Sequence, residues 1–498
     1  MSSSGEGRLE PPQTVVERAL AASRSDGCAV LVEEISQAEV RFANNTTTTN
    51  GVRRDRRVVV VSFRLAAGQD GAGGPMKAGG PMKASGAVGE APTSVGVASA
   101  SGVVDVEELV RASESEAQRA APAEDAAPLL EPHGPDGTGV GAAAADFDEP
   151  AELTSPAVLD RVVGGLGDAF GRARDAGRLL AGFATHGVGS AYLGTSTGVR
   201  LRHVQPAGTM ELVARSTDGK RSVWAGAGTD SFLDIDIADF ERRVVERLGW
   251  AERRVELPAG RYEVILPPDA TADLMVPMSE AMSGRDAEEG QSAFAAPDGG
   301  TKVGQSLSPL PFELRGDPTE RGLECAPFLA TGASGTDVSV FDNGLPVRLT
   351  KWISQGRLER LRYHRAGAAR SGVEAAAPVG NLVLELPGAT GSLHDVVANT
   401  ERALLLTCLW YIREVDPVTL LLTGLTRDGV YLVENGEVVG AVNNFRFNES
   451  PLEVLARATE ASLSVRALSR EWGEWQNRTA MPALRVADFN MSSVSPAT

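Results

Sequence analysis

The chain has 498 residues, with 48 Lys or Arg against 66 Asp or Glu, a formal net charge of −18. At 42% hydrophobic and 23% charged residues its usage is that of a folded globular protein, and its length allows about three domains of roughly 150 residues or two larger ones. The acidic balance excludes a nucleic-acid scaffold, which needs cationic surface to displace counterions, and the longest apolar run, Ala403–Ile412, falls well short of the roughly 20 residues of a membrane span.

The N-terminal MSSSGEGRLEPPQ lacks the basic start, apolar run and small-residue site of a secretory signal, so a cytoplasmic protein is expected. Val15, Val16, Ala19 and Leu20 then mark an amphipathic helix, Cys28–Val32 a strand, and Ala38, Val40 and Phe42 an alternating stretch. Asn50-Gly51 reads as a turn into the apolar strand Val58–Val61. From Ala66 to Gly102 the composition turns to Gly, Ala, Ser and Pro, with GGPMKA repeated at Gly73–Ala78 and Gly79–Ala84; a flexible insertion is expected over 66–102.

Helices are predicted over Val106–Ala120 and around Val162–Ala173, separated by an acidic linker-like loop at 131–150. Short strands follow, and Asp218-Gly219 marks a hairpin between Met210–Arg215 and Ser222–Ala225. A helix over Ile235–Leu248, the strand Tyr262–Leu266 and a helix near Ala270–Ser283, kinked at Pro277, come next. Beyond a loop-like stretch from Gly299 to Asp337, the turns Asn343-Gly344, Gln355-Gly356 and Asn435-Gly436 announce antiparallel structure. The predicted class is therefore α+β, an N-terminal α/β domain over residues 1–230 followed by an antiparallel β-rich domain over 231–498.

Chemistry is conspicuous by its scarcity. Cys28, Cys325 and Cys408 lie far apart, without a CxxC pair, and are expected as free buried thiols. None of the five histidines (His133, His186, His203, His364, His394) has the spacing of a zinc helix. Ser392, His394 and Asp395 stand too close in sequence to converge as a triad, and Ser392 with Asp395 reads as a helix cap. The glycines at 165, 167 and 171 lie inside helical periodicity, and Gly219-Lys220 fits a hairpin tip, so neither is a phosphate loop. Asp234, Asp236 and Asp239 are expected to cap and charge the following helix. Met275, Met278 and Met282 recur at helical spacing, as a core stripe or as an adaptable peptide-contacting surface.

Several stretches, in order, resemble the TldD/TldE (PmbA) family and within it the TldE side: Gly260–Val276 (GRYEVILPPDATADLMV), Ser292–Ala295, Phe341–Leu349 (FDNGLPVRL), Gln355–Arg362, Asn381–Leu386, Thr423–Arg446 and Pro482–Ser492. The resemblance implies two domains assembled as a heterodimer around a peptide-degrading chamber, with an HExxxH helix and a C-terminal cysteine binding zinc in the TldD subunit. Here the corresponding Leu274–Phe294 contains no histidine, and no cysteine follows Cys408. The resemblance thus implies a pseudopeptidase subunit with no catalytic or metal-binding residue of its own. Zinc is expected on a TldD-like partner, and unfolded or extended peptides are the expected substrate. Met275, Met278, Ser279, Glu280 and Met282 are expected to line the shared chamber. The alternatives are a free-standing hydrolase using Cys408 or His364, and a peptide-binding regulatory protein.

Overall fold

A computed structural model describes residues 10–65, 93–132 and 146–495. Most of the expected insertion, both GGPMKA repeats, most of the acidic loop and His133 lie outside the described residues.

The first sheet has six strands, β1 (Gly27–Ala43), β2 (Thr46–Arg64), β3 (Ser94–Ser101), β4 (Arg178–Thr195), β5 (Arg200–Ser216) and β6 (Ser222–Thr229), in the order β3-β2-β1-β4-β5-β6. All its pairings are antiparallel. On one face lie the helices α1 (Pro12–Ala22), α2 (Val106–Arg119), α3 (Asp160–Asp175) and α4 (Ile237–Trp250). The period-2 alternation sends Val30, Val32, Val58 and Val60 to these helices, and Leu31, Val59 and Val61 to Val340 and Phe341 of the second half of the chain. Two covered faces explain why these strands read as continuous apolar runs.

The structure corrects three expectations. The first hairpin turns at Asn44-Asn45, both left-handed (φ 51° and 60°), whereas Asn50 and Gly51 pair with Val40 and Glu39 inside the ladder. The stretch expected as loop up to Gly102 ends in β3, paired with β2 along its whole length. Its small residues are a packing requirement, because a Cβ on Gly96 would stand 2.2 Å from the backbone of Ser113 and Ala117 in α2. The short strands expected before Asp218-Gly219 are the continuous strand β5.

Helix α4, expected to open the second domain, packs beneath the first. Its Phe240, Val244 and Leu248 meet Leu212, Val223 and Ala225 on one side and Leu405, Tyr431 and Val433 of the next sheet on the other. That ten-stranded sheet runs from the edge strand Leu409–Asp416 through Leu421–Thr426, Phe445–Glu449, Leu484–Val494, Gly260–Leu266, Arg402–Leu406, Val430–Glu434 and Glu437–Val442 to Arg254–Val255; Ala458–Ala461 also pairs with Leu484–Val494. Alternation again divides each strand between two cores: Ile265 and Leu405 face α4, while Val264, Leu266, Leu404 and Leu406 face α5 (Pro268–Glu280). A second six-stranded sheet, which includes Glu313–Gly316, Leu382–Glu385 and Thr479–Met481, completes that core. The class is mixed α and β with antiparallel-rich sheets, as predicted.

Candidate functional site

Helix α5 starts at Pro268, whose missing N–H costs nothing in the first turn, and accommodates Pro277 near its end. Between them, in an otherwise apolar helix, stand two carboxylates four residues apart and hence on one face: Asp269 and Asp273. Both receive the loop 468–472. Leu468 N donates to Asp269 Oδ1 at 2.9 Å. Ser469 Oγ and Glu471 N donate to Asp273 Oδ1 at 2.7 and 3.0 Å, and Trp472 Nε1 donates to the Asp273 carbonyl at 2.9 Å.

Asp273 is wholly buried, and its Oδ2 has no hydrogen-bond partner among the described residues. Burial outweighs the two donated hydrogen bonds and pushes its carboxyl up to about 8, so the group is mainly protonated at neutral pH. Burial also raises Asp269, opposed by its amide bond and by Arg243 and Arg247 of α4.

The same loop carries Arg470 into a sandwich between two indoles, 3.9 Å from the ring centre of Trp410 and 5.3 Å from that of Trp224. Its guanidinium donates to Cys408 Sγ, and both Nη atoms reach Asp428 Oδ2 at 3.2 Å. With side chains 7% and 5% exposed, Arg470 and Asp428 form a buried ion pair. Trp224 belongs to the first sheet, where its Nε1 donates to Glu211 at 3.0 Å and its carbonyl accepts from Arg247 at 2.6 Å. The cluster therefore ties β5, β6 and α4 to α5 across the two halves of the chain. Asp428 lies in the left-handed region (φ 58°), and the next residue is Gly429, where a Cβ would stand 1.8 Å from Thr407 Oγ1.

Burial pushes the Cys408 thiol up to about 12, so the thiolate needed for attack is not populated. His364 stands elsewhere, its Nδ1 accepting from Gly367 N as the cap of the helix Arg365–Ser371. Among the described residues, no group of three His, Cys, Asp or Glu side chains is placed to hold a metal. Nor do the residues of α5 fit zinc: the helix has no histidine or cysteine, and Asp273 is wholly buried with its Oδ1 already accepting from Ser469 Oγ and Glu471 N.

Of the expected lining residues, Met275, Met278 and Met282 are buried in the core, which removes them from any surface of this chain. Ser279 is half-buried and Glu280 exposed. Glu280 stands on a groove of about 280 Å³ at the end of α5, lined also by Val276, Pro277, Ala281, Glu414, Trp472 and Trp475. The expected caps hold except at Asp234, which bonds Thr229 before α4 and not the helix. Ser392 and Asp395 form a reciprocal capping box, Asp236 caps α4, Asp239 pairs with Arg242, and Asp234 accepts from Thr229 Oγ1. All three cysteines are buried and free. Asp269, Asp273, Ser469 and Arg470 were not singled out by sequence reasoning; the available signal was two carboxylates at helical spacing within an apolar helix.

The profile of the PmbA/TldA metallopeptidase C-terminal domain matches residues 259–493. No curated protein matches the chain. Among solved structures, the chain is similar to TldE from Thermococcus kodakarensis, at 16% identity and a TM-score of 0.71, over 96% of this chain and 99% of that one. It is also similar to two proteins described as putative modulators of DNA gyrase. For the one from Thermotoga maritima the identity is 15% and the TM-score 0.68, covering 96% and 99% of the chains. For that from Bacteroides thetaiotaomicron they are 14% and 0.69, covering 97% and 98%. At these identities the likeness is one of fold.

Proposed function

The chain belongs to the TldD/PmbA family of metallopeptidase-related proteins, and we propose that within it this chain is the non-catalytic subunit of a heterodimeric zinc peptidase that degrades or trims unfolded or extended peptides. The observation that carries this reading is the state of α5. Where the resemblance puts the zinc helix of the active subunit, Leu274–Phe294 has no histidine and its Met275, Met278 and Met282 are buried in the core. Peptide hydrolysis needs an activated water and a stabilised oxyanion, and on this reading a TldD-like partner supplies both together with the zinc. This chain then completes the chamber and orders the active subunit. Among the described residues no helix is long and apolar enough to cross a membrane, which is compatible with action in the cytoplasm.

The test is the metal content of the purified, tag-free chain by elemental mass spectrometry, alongside peptide hydrolysis by the chain alone and with a TldD-like subunit. Substoichiometric zinc, with hydrolysis only in the mixture, is expected. About one tightly held zinc per chain, or hydrolysis by the chain alone, overturns the reading.

A further inference from the structure

The face of the first sheet turned away from its helices carries a row of directly opposed residues. Glu33 of β1 pairs with Ala191 of β4, and Ala191 in turn with His203 of β5. Opposed residues of an antiparallel ladder share a face. Leu31, two residues before Glu33, identifies that face as the one turned to Val340 and Phe341. A single methyl group thus stands between a carboxylate and an imidazole whose strands lie two spacings, about 10 Å, apart. The three residues line a cavity of about 230 Å³.

The opposite wall comes from the second half of the chain, through Phe328, Leu329 and Val347. These residues sit on two segments closed against each other by backbone bonds: Leu329 N donates to Leu345 O, Gly344 N to Leu329 O and Val347 N to Pro327 O, each at 2.8 Å. The Asn343 side chain adds bonds to Thr331 N and O at 2.6 and 3.0 Å. A wall held in this way makes the cavity preformed, as small-molecule sites mostly are.

Its polar groups stand at the two ends. Gln205 Nε2 donates to Glu324 O at 3.2 Å, which turns Gln205 Oε1 towards His203 Nε2 at 3.1 Å. His203 therefore carries its proton on Nε2, and Nδ1 is an acceptor with no hydrogen-bond partner among the described residues. Burial, with Arg478 and Arg202 nearby, lowers the pKa of this ring and keeps it neutral at pH 7. Phe328 stands edge-on to the imidazole, with ring centres 6.5 Å apart. At the other end, the Glu33 carboxylate accepts no hydrogen bond among the described residues and meets Arg57 at 3.8 Å.

The geometry points to a small-molecule site for a phenolic amine, whose hydroxyl donates to His203 Nδ1, whose ring lies over Ala191 beside Phe328, and whose ammonium group reaches Glu33. A lone acceptor at one end and a carboxylate at the other reject anions, and they call for a donor and a cation on opposite ends of the ligand. The apolar walls and the edge of Phe328 suit a flat aromatic body between them. The site lies on this chain alone and goes beyond the subunit role proposed above.

The test is isothermal titration calorimetry of the full chain with tyramine, alongside phenethylamine, which lacks the hydroxyl, and p-cresol, which lacks the ammonium group. Tyramine is expected to bind, and each analogue to bind at least about tenfold more weakly, since each forfeits one of the two polar contacts. Glu33→Gln, at a side chain 40% exposed, should bring tyramine down to the affinity of p-cresol. His203→Ala should bring it down to that of phenethylamine. Tyramine binding that is absent, that is matched by both analogues, or that is unchanged in both variants overturns the proposal. Should His203→Ala fail to fold, the analogue series and Glu33→Gln still decide. The chain is titrated without a partner subunit, so this outcome is read separately from the zinc and hydrolysis measurements.

Discussion

Replacing Asp273 by Asn tests the electrostatic description of α5 most directly. The wild-type carboxyl titrates near 8 in the folded chain, because burial disfavours its ionised form, against about 3.9 when unfolded. The folded state therefore holds the proton more tightly, and the stability this contributes is complete below about pH 4 and lost as the pH rises towards 8. At 1.36 kcal/mol per pH unit, the loss between pH 5 and pH 8 is up to about 4 kcal/mol. The amide introduced by Asp273→Asn has no such dependence. Its Oδ1 still accepts from Ser469 Oγ and Glu471 N, and its Nδ2 replaces an Oδ2 that has no partner in the wild type. The stability difference between the two proteins should shift in favour of Asp273→Asn by up to about 4 kcal/mol from pH 5 to pH 8. Thermal or urea denaturation of both across pH 5–9 measures the difference, which isolates this group because the other titratable side chains are shared. Parallel curves over the whole range would falsify a neutral, buried Asp273.

Arg470→Ala strips the buried Asp428 of its partner and opens the space between Trp410 and Trp224. It should cost about 3–5 kcal/mol in urea denaturation, with little rescue by Lys, which lacks the planar fork. Gly284→Ala would set a Cβ 1.9–2.5 Å from ring atoms of Tyr363, whose hydroxyl donates to Glu288 at 2.7 Å. A loss of at least about 2 kcal/mol is expected by the same measurement.

What could be read in the sequence followed from strong local signals. Asp218-Gly219, Gln355-Gly356 and Asn435-Gly436 turn where predicted, because left-handed turn positions accept few residue types. Asn50-Gly51 carries the same signal and is overridden: the β1–β2 hairpin extends past it, with its turn placed at Asn44-Asn45, where the buried Asn45 side chain also bonds Leu180 N and Arg178 O. Strand β3 was illegible for a different reason. Gly, Ala and Ser signal loop when nothing packs on them, and only the approach of α2 shows that nothing larger fits. The methionines of α5 were equally ambiguous, since core and contact surface require the same helical spacing, and their burial was decided by sheets distant in sequence. The polar cluster joins residues between 211 and 472, a convergence that no local pattern encodes.

The cluster also ties α5 to the loop 468–472 and, through it, to the sheet edge. A buried ion pair and a buried carboxyl are poor sources of stability, because desolvation offsets much of the attraction; their geometric consequence here is more definite. Asp269 and Asp273 bind the amides of Leu468 and Glu471, and the Asp273 carbonyl takes the Trp472 indole N–H. Arg470, between them, is clamped by Trp410, Trp224 and Asp428. Every residue from 468 to 472 is thus fixed, and Glu471 transmits that fixation to the backbone of the edge strand at Tyr411. The two carboxyls close this face of α5 with protein and hold the loop that carries Trp472 and the exposed Trp475. In that geometry α5 holds the loop 468–472, and with it the paired indoles of Trp472 and Trp475, against the strand Leu409–Asp416.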